Sequence, residues 1–413
     1  MTSSPTIAII GAGPGGLTAA RVLQRGGVPV TVYDADASLA ARNQGGTLDL
    51  HADSGQIALE EAGLTAEFAA LARPEGQAHR LLDPSGAVLA EQVPAPDQTA
   101  APEIDRIQLR RMLADSVEPG TIHWGRRLLR IDGQTLHFAD GSTEHADLVI
   151  GADGAWSRVR AALTDATPQY LGVSLVEALF TDVSRRHPEI AALVGDGHAW
   201  ANGDGRALIL QRNSDDVVRG YISMRADLDW LAQAGLGAPD GRGGVLDANG
   251  TLSTDTERVR AALRERFAGF APELVRVIKD SEGTLPNRPV FALPTPTTWE
   301  HRPGITLLGD AAHVMSPFGG NGVNLALLDG AELARAILGA LRNGTPVDDA
   351  VRSYETRMTE RGATLGQGAN DAIIEHYAAG GPDVENIPDF DDEAEKWHAN
   401  AAAYRADRDR QHG

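Results

Sequence analysis

The chain contains no cysteine, which excludes disulfides, thiolate-bound metal and a cysteine nucleophile. Lysine is nearly absent: Lys279 and Lys396 are the only two, so arginine carries almost all the positive charge. With a net charge of -20, neither nucleic acid nor an anionic membrane surface is an expected partner. An anionic ligand would have to be met by local arginines and helix N-termini. No apolar run approaches the ~20 residues needed to span a bilayer. Met1-Thr2-Ser3-Ser4-Pro5 leads directly into an apolar run, with neither a basic segment nor a cleavage site. A cytoplasmic location without membrane insertion is therefore expected. No Gly-x-Ser-x-Gly elbow occurs, which argues against a serine hydrolase.

What is present is a chain of 413 residues, 42% hydrophobic, long enough for two sizeable cores. Its start reads strand (Thr6–Ile10), tight turn (Gly11–Gly16), helix (Leu17–Gln24) and second strand (Val28–Tyr33). Asp147–Gly151 and Ile305–Leu308 have the same short, buried-strand texture, which implies a mostly parallel sheet covered on both faces. Around residues 76–100 and 168–230 the pattern changes to alternating strands, such as Ala207–Leu210 and Gly220–Met224, as in an antiparallel second layer. Residues 234–256 form a long Gly/Asp-rich loop, and Val347 to about Ala379 read as one long amphipathic helix. From Gly381 the chain is acidic, with the texture of a solvated face or a partly disordered segment.

Three motifs carry chemistry. GAGPGG places Gly11, Gly13 and Gly16 between a strand and a helix, where the backbone must turn tightly and approach a pyrophosphate at the helix N-terminus. Asp34 ends the second strand, where an acidic residue binds a ribose hydroxyl. This pattern predicts a dinucleotide, NAD or FAD alike. The second motif, DLVIGADGAWSRVR (147–160), ends a strand at Asp153-Gly154; alone, Asp153 reads as a helix cap. The third, GDAAHVMSPFGGNGVN (309–324), sets Asp310 three residues before His313. That gives two ligands where a metal needs three or four, so no metal is expected.

Taken in order, these motifs resemble the single-component FAD-dependent aromatic hydroxylases over roughly residues 5–380. ARNQGGTLDLHADSGQIALEEAGL (41–64) and IDRIQLRRML (104–113) are similar to the tetracycline-inactivating flavin monooxygenases. The resemblance implies an α/β fold: a Rossmann-like FAD-binding domain (1–75, 101–167 and 283–345) with an inserted mixed or antiparallel β-sheet substrate domain (76–100 and 168–282). A long C-terminal bridging helix (346–380) and an acidic tail (381–413) would follow. Gly11, Gly13, Gly15 and Gly16 would hold the FAD pyrophosphate, and Asp34 the adenosine ribose. Arg42, Arg110 and Leu128 would contact the cofactor, and Asp49 would lie beside the flavin ring. Asp153 would lie near the pyrophosphate, and Asp310 would bind the ribityl chain. Pro317, Gly320, Asn321, Gly322 and Val323 would line the flavin edge.

Ser316 stands where those enzymes often have a second proline, Asn321 where glutamine is usual, and Ala35 where an arginine commonly follows the ribose acid. Glu177, His198, Trp200, Arg219, Met224, Phe318 and Gly319 would face the substrate. No side chain is expected to be catalytic, because the flavin carries the chemistry. The implied activity is NADPH- and O2-dependent hydroxylation of a polycyclic phenol or enol by a monomer, with tetracyclines the leading candidates. There is no second glycine fingerprint, so NADPH would dock transiently. A tailoring hydroxylase or Baeyer–Villiger-type enzyme for another aromatic polyketide is the alternative. So is a non-oxygenating FAD-binding reductase or sequestering protein.

Overall fold

The computed structural model describes residues 5–41, 45–95, 98–247, 250–252, 255–378 and 390–412. The strand Ile7–Ile10 is buried at every position. It is central in a five-stranded parallel sheet, flanked by Leu148–Gly151 on one side and Val30–Tyr33 on the other. Ile305–Leu307 and Ile122–His123 form the edges. These short apolar strands suit a layer covered on both faces. The helix Pro14–Arg25 packs on the helix Asn321–Asn343, and glycines permit the close approach. A Cβ on Gly15 would lie 2.4 Å from the Ala326 carbonyl oxygen, and one on Gly330 would lie 2.3 Å from that of Gly15.

The second sheet has seven strands and is mostly antiparallel. Gln169–Phe180, Val217–Arg225, Arg206–Asn213 and His198–Gly203 lie side by side, and His79–Leu82 joins them in parallel register. Asn287–Ala292 forms an edge of this sheet by pairing with Gln169–Phe180. A boundary at 283 therefore puts that strand in the wrong layer. One face of the sheet packs on helices Thr256–Arg266 and Pro272–Lys279 around Phe267, Leu274 and Val277. The other face, with Ile209 and Tyr221, turns toward Phe318 and the end of the long helix Val347–His376.

The described part of the acidic tail is more than a solvated face. Phe390–His412 is a helix. Ala394 and Ala401 are buried, and Trp397 and Tyr404 pack with Ala52, Ile57 and Leu328. Arg405 and Arg408 reach Glu60 at 2.9 Å. Positions 394, 397, 401 and 404 form one apolar stripe at helical spacing, visible in the sequence but outweighed by the acidic composition. Among the described residues, no helix is long and apolar enough to cross a membrane.

Candidate active site

The glycine-rich turn closes by contact between backbones. Gly11 has φ +110°, and a Cβ there would lie 2.2 Å from the Ala152 carbonyl oxygen. A Cβ on Gly16 would lie 2.2 Å from the Gly11 carbonyl oxygen, whereas one on Gly13 meets nothing within 4 Å. Gly11 and Gly16 thus shape the turn, while Gly13 opens onto space. That space is a cavity of about 1220 Å³ lined by Gly11, Gly13, Gly15, Gly16, Asp34, Leu128, Asp153, Asp310, Pro317, Gly322 and Val323. Its size, its exposed N-terminal turn and its acid at the second strand fit an extended dinucleotide.

Asp34 accepts hydrogen bonds from the Ala12 N–H at 2.7 Å and the Asp36 N–H at 2.7 Å. Arg110 is buried behind the turn. Its Nε donates to the Ala12 carbonyl at 2.8 Å, and its guanidinium pairs with Asp36 at 3.0 Å and Asp34 at 3.3 Å. It therefore stands outside the cavity lining, and its donors are directed at protein acceptors. Arg106, one helical turn earlier, lines the cavity instead. Arg126 also lines the cavity beside Asp34, with its guanidinium 4.4 Å from the Phe138 ring centroid. It pairs with Glu144 at 3.2 Å and puts a cation at the cavity edge, where residue 35 itself is alanine. Arg42 lies outside the described residues.

Asp153 accepts from the Ser157 hydroxyl at 2.5 Å and the Arg158 N–H at 2.6 Å. It caps the following turn as well as lining the cavity. Asp310 opens onto the cavity, and the surrounding protein raises its carboxyl, partly countered by His313, Arg106 and Arg160. His313 turns away: its Nε2 donates at 2.6 Å to the buried Asp329, which Arg361 also pairs with at 2.8 Å. Among the described residues, no group of three His, Asp or Glu could hold a metal.

At the far end, Gly320 is left-handed (φ 64°) and caps the helix Asn321–Asn343. Asn324 joins this helix to the strand Thr47–Asp49. Its amide donates to the Asp49 and Gly320 carbonyls at 2.9 and 3.0 Å, and its carbonyl accepts from the His51 N–H at 2.9 Å. Ser316 is also accounted for: its hydroxyl donates to the Ala369 carbonyl at 2.5 Å, which ties the turn to the long helix. Gly319 (φ +80°) lies between Phe318 and Asn321. Gly320 and Asn321 do not line the large cavity.

A second cavity, about 330 Å³, is lined by Asp49, His79, Glu103, His198, Trp200, Asp391 and Trp397, among others. Asp49 therefore faces this space rather than the large one. Burial pushes its carboxyl up, but the His51 pair at 2.9 Å outweighs that and holds it low. Trp200 meets Phe318 and His376 edge-on at 5.8 and 5.7 Å. Burial lowers His376 to about 4. The Trp200 Nε1 donor is buried without a partner among the described residues.

The expected substrate residues divide. His198 and Trp200 line the second cavity and Phe318 abuts it, while Glu177 pairs with Arg288 at 3.4 Å and Arg219 packs by Gly46. Met224 is on the opposite face of its strand, buried among Ile222, Phe267 and Leu274. Strand alternation puts it with Val218 and Ile222, away from Tyr221. Glu103, His79 and Trp397 were not legible as site residues, because only tertiary pairing brings them together.

A dinucleotide-sized cavity at a parallel sheet, beside a second cavity on a mixed sheet, defines a cofactor-dependent enzyme of two layers. The FAD binding domain family model matches residues 4–236 and 296–369, and the chain belongs to that family, as an FAD-dependent monooxygenase. It is 30% identical over 401 residues to the monooxygenase penA of Penicillium thymicola, covering 86% of this chain and 91% of that protein. Its fold is similar to that of Klebsiella pneumoniae HpxO, solved with FAD and uric acid. There the TM-score is 0.71 and the identity 22%, covering 96% and 93% of the two chains. It is also similar to the tetracycline destructase Tet(55), with TM-score 0.67, 19% identity and 90% of each chain covered.

Proposed function

We propose that the chain uses NADPH and O2 to hydroxylate a phenol or enol bound in the second cavity, with polycyclic tetracycline-type compounds the leading candidates. The observation that carries this reading is the second cavity, walled by Trp200 and Trp397 beside Asp49, Glu103 and His198 and adjoining the Phe318–Gly320 turn. In it an aromatic ring could stack beside a charged hydrogen-bonding cluster.

When bound, FAD supplies hydride acceptance and oxygen activation. The chain's part is to bind, orient and keep water out. Gly13 and the N-terminus of Pro14–Arg25 would receive the pyrophosphate, Asp34 the ribose and Asp310 a ribityl hydroxyl. The backbone N–H groups at the N-terminus of Asn321–Asn343 would favour negative charge on the flavin. Trp200, Phe318 and His376 would form a dry aromatic wall.

A second reading, hydroxylation of a smaller aromatic, is favoured by cavity size. At about 330 Å³, the space is near the lower end of ligand pockets. The test is NADPH oxidation by the FAD-loaded protein with and without tetracycline, with the product read by mass. Stimulated oxidation with one oxygen atom added supports the first reading. Oxygen added only to one- or two-ring phenols supports the second. Reduction without oxygen incorporation overturns both.

A further inference from the structure

Two carboxylates meet across one strand pair: Asp49 and Glu103 are direct antiparallel partners, and both line the second cavity. Each is matched by a histidine. His51 Nε2 lies 2.9 Å from Asp49, and His198 Nε2 lies 2.9 Å from Glu103. The Glu103 pair is further fixed. Its second oxygen accepts from the Thr47 hydroxyl at 2.5 Å, and Arg73 donates to Thr47 at 3.1 Å. Asp49–His51 is covered by Trp397, whose ring stacks on His51 at 4.3 Å, whereas His198 is itself part of the cavity wall.

We infer that His198, positioned by Glu103, is the acid–base group of the second cavity and takes the hydroxyl proton of a phenol or enol bound there. This rests on the proposed function for its choice of ligand. The Glu103 bond fixes the proton on Nε2 in the neutral ring. With Nε2 held by Glu103 and the ring forming part of the cavity wall, Nδ1 is the nitrogen left to accept a proton. In the transfer, the ligand O–H bond breaks and an Nδ1–H bond forms. The electron pair stays on the ligand oxygen and spreads to the ring or enol carbon, which becomes the better nucleophile toward activated oxygen. The imidazolium so formed stands between the ligand anion and Glu103. Thr47 and Glu103 are positioning residues.

The electrostatics agree. Burial lowers His198, but Glu103 and then Asp49 outweigh it and raise the ring, with Arg73 opposing. His79 is the parallel register partner of His198, with ring centroids 6.4 Å apart. Burial and His198 hold His79 at about 4, so it stays neutral. Asp391, from the C-terminal helix, completes the charged groups around the cavity.

The test is a pH titration of 4-nitrophenol with FAD-loaded protein, without donor, followed by the phenolate band in difference spectra. Wild type should increase the acidity of the bound phenol by about tenfold or more, the range for a nearby opposite charge. His198→Gln should abolish the shift and Glu103→Gln reduce it, with FAD content and melting temperature retained. A wild-type titration with no bound signal or no shift overturns the inference, as does an equal shift in His198→Gln. If both variants unfold, the wild-type titration still decides. This readout needs neither NADPH nor O2. A protein that ionises the phenol but never oxygenates any substrate would refute the monooxygenase reading alone.

Discussion

The Ser316 N–H donates to the Asn370 side-chain carbonyl at 2.9 Å, so the turn beside the large cavity is held by a residue on the long helix. Both residues are buried. Asn370→Ala leaves that N–H without an acceptor, at a cost of ~1–3 kcal/mol. Chemical denaturation of FAD-loaded protein should register the loss, and FAD should be released faster. Unchanged stability would count against the turn being fixed from the helix.

The glycines of the N-terminal turn should separate shape from ligand contact. Gly16→Ala drives a Cβ to 2.2 Å from the Gly11 carbonyl oxygen, so expression as folded protein should fail or the melting temperature should collapse. Gly13→Ala meets no protein atom within 4 Å and should fold with normal stability. Its defect should appear only in FAD affinity, measured by flavin fluorescence. Normal FAD affinity in Gly13→Ala would refute close approach of the cofactor at this glycine.

Asp310 should matter to binding rather than to stability. Its side chain is exposed to the large cavity, so Asp310→Asn should leave the melting temperature of the cofactor-free protein nearly unchanged. Asp310→Ala should weaken FAD binding by roughly 1.5–3 kcal/mol, the worth of a charged hydrogen bond. FAD binding unchanged in Asp310→Ala would remove the ribityl role.

The Asp49–His51 pair should give stability a pH window. The His51 ring is depressed by burial but raised more by Asp49. Its contribution is complete below the ordinary imidazole value, about 6.5, and is lost as pH rises through the raised folded value. Asp49 is lowered overall. Its share is complete above about 3.9 and lost as pH falls through its lowered value. Melting temperature against pH should therefore flatten at both limits in His51→Gln. Parallel curves for the two proteins would exclude the pair as the cause.

Removing the helix Phe390–His412 should uncover Ala52, Ile57 and Leu328 and open one wall of the second cavity. The melting temperature should drop, and tetracycline should bind more readily relative to a one-ring phenol in equilibrium dialysis. Unchanged relative affinities would mean that this helix does not limit ligand size.

Local sequence was enough where the constraint is local. The Gly11–Gly16 turn, the short parallel strands and the helix Val347–His376 depend on neighbours in the chain, and their patterns could be read directly. Site residues were harder because their partners are distant. Glu103 and His198 pair across 95 positions. Arg110 and Arg106 share one helix, and only packing decides which of them reaches the cavity. Met224 shows the other difficulty: it takes its face from strand alternation, and a shift of one residue reverses inside and outside.

The two cavities are finished at different points of the chain. The lining of the larger one ends at Ala326, whereas the smaller one needs Asp391, Ala394 and Trp397. During synthesis, every residue that frames the dinucleotide space has been made some 65 residues before those that close the other. The order of manufacture thus puts the cofactor chamber, including the Asn370 that holds its Ser316 turn, ahead of the outer wall of its neighbour.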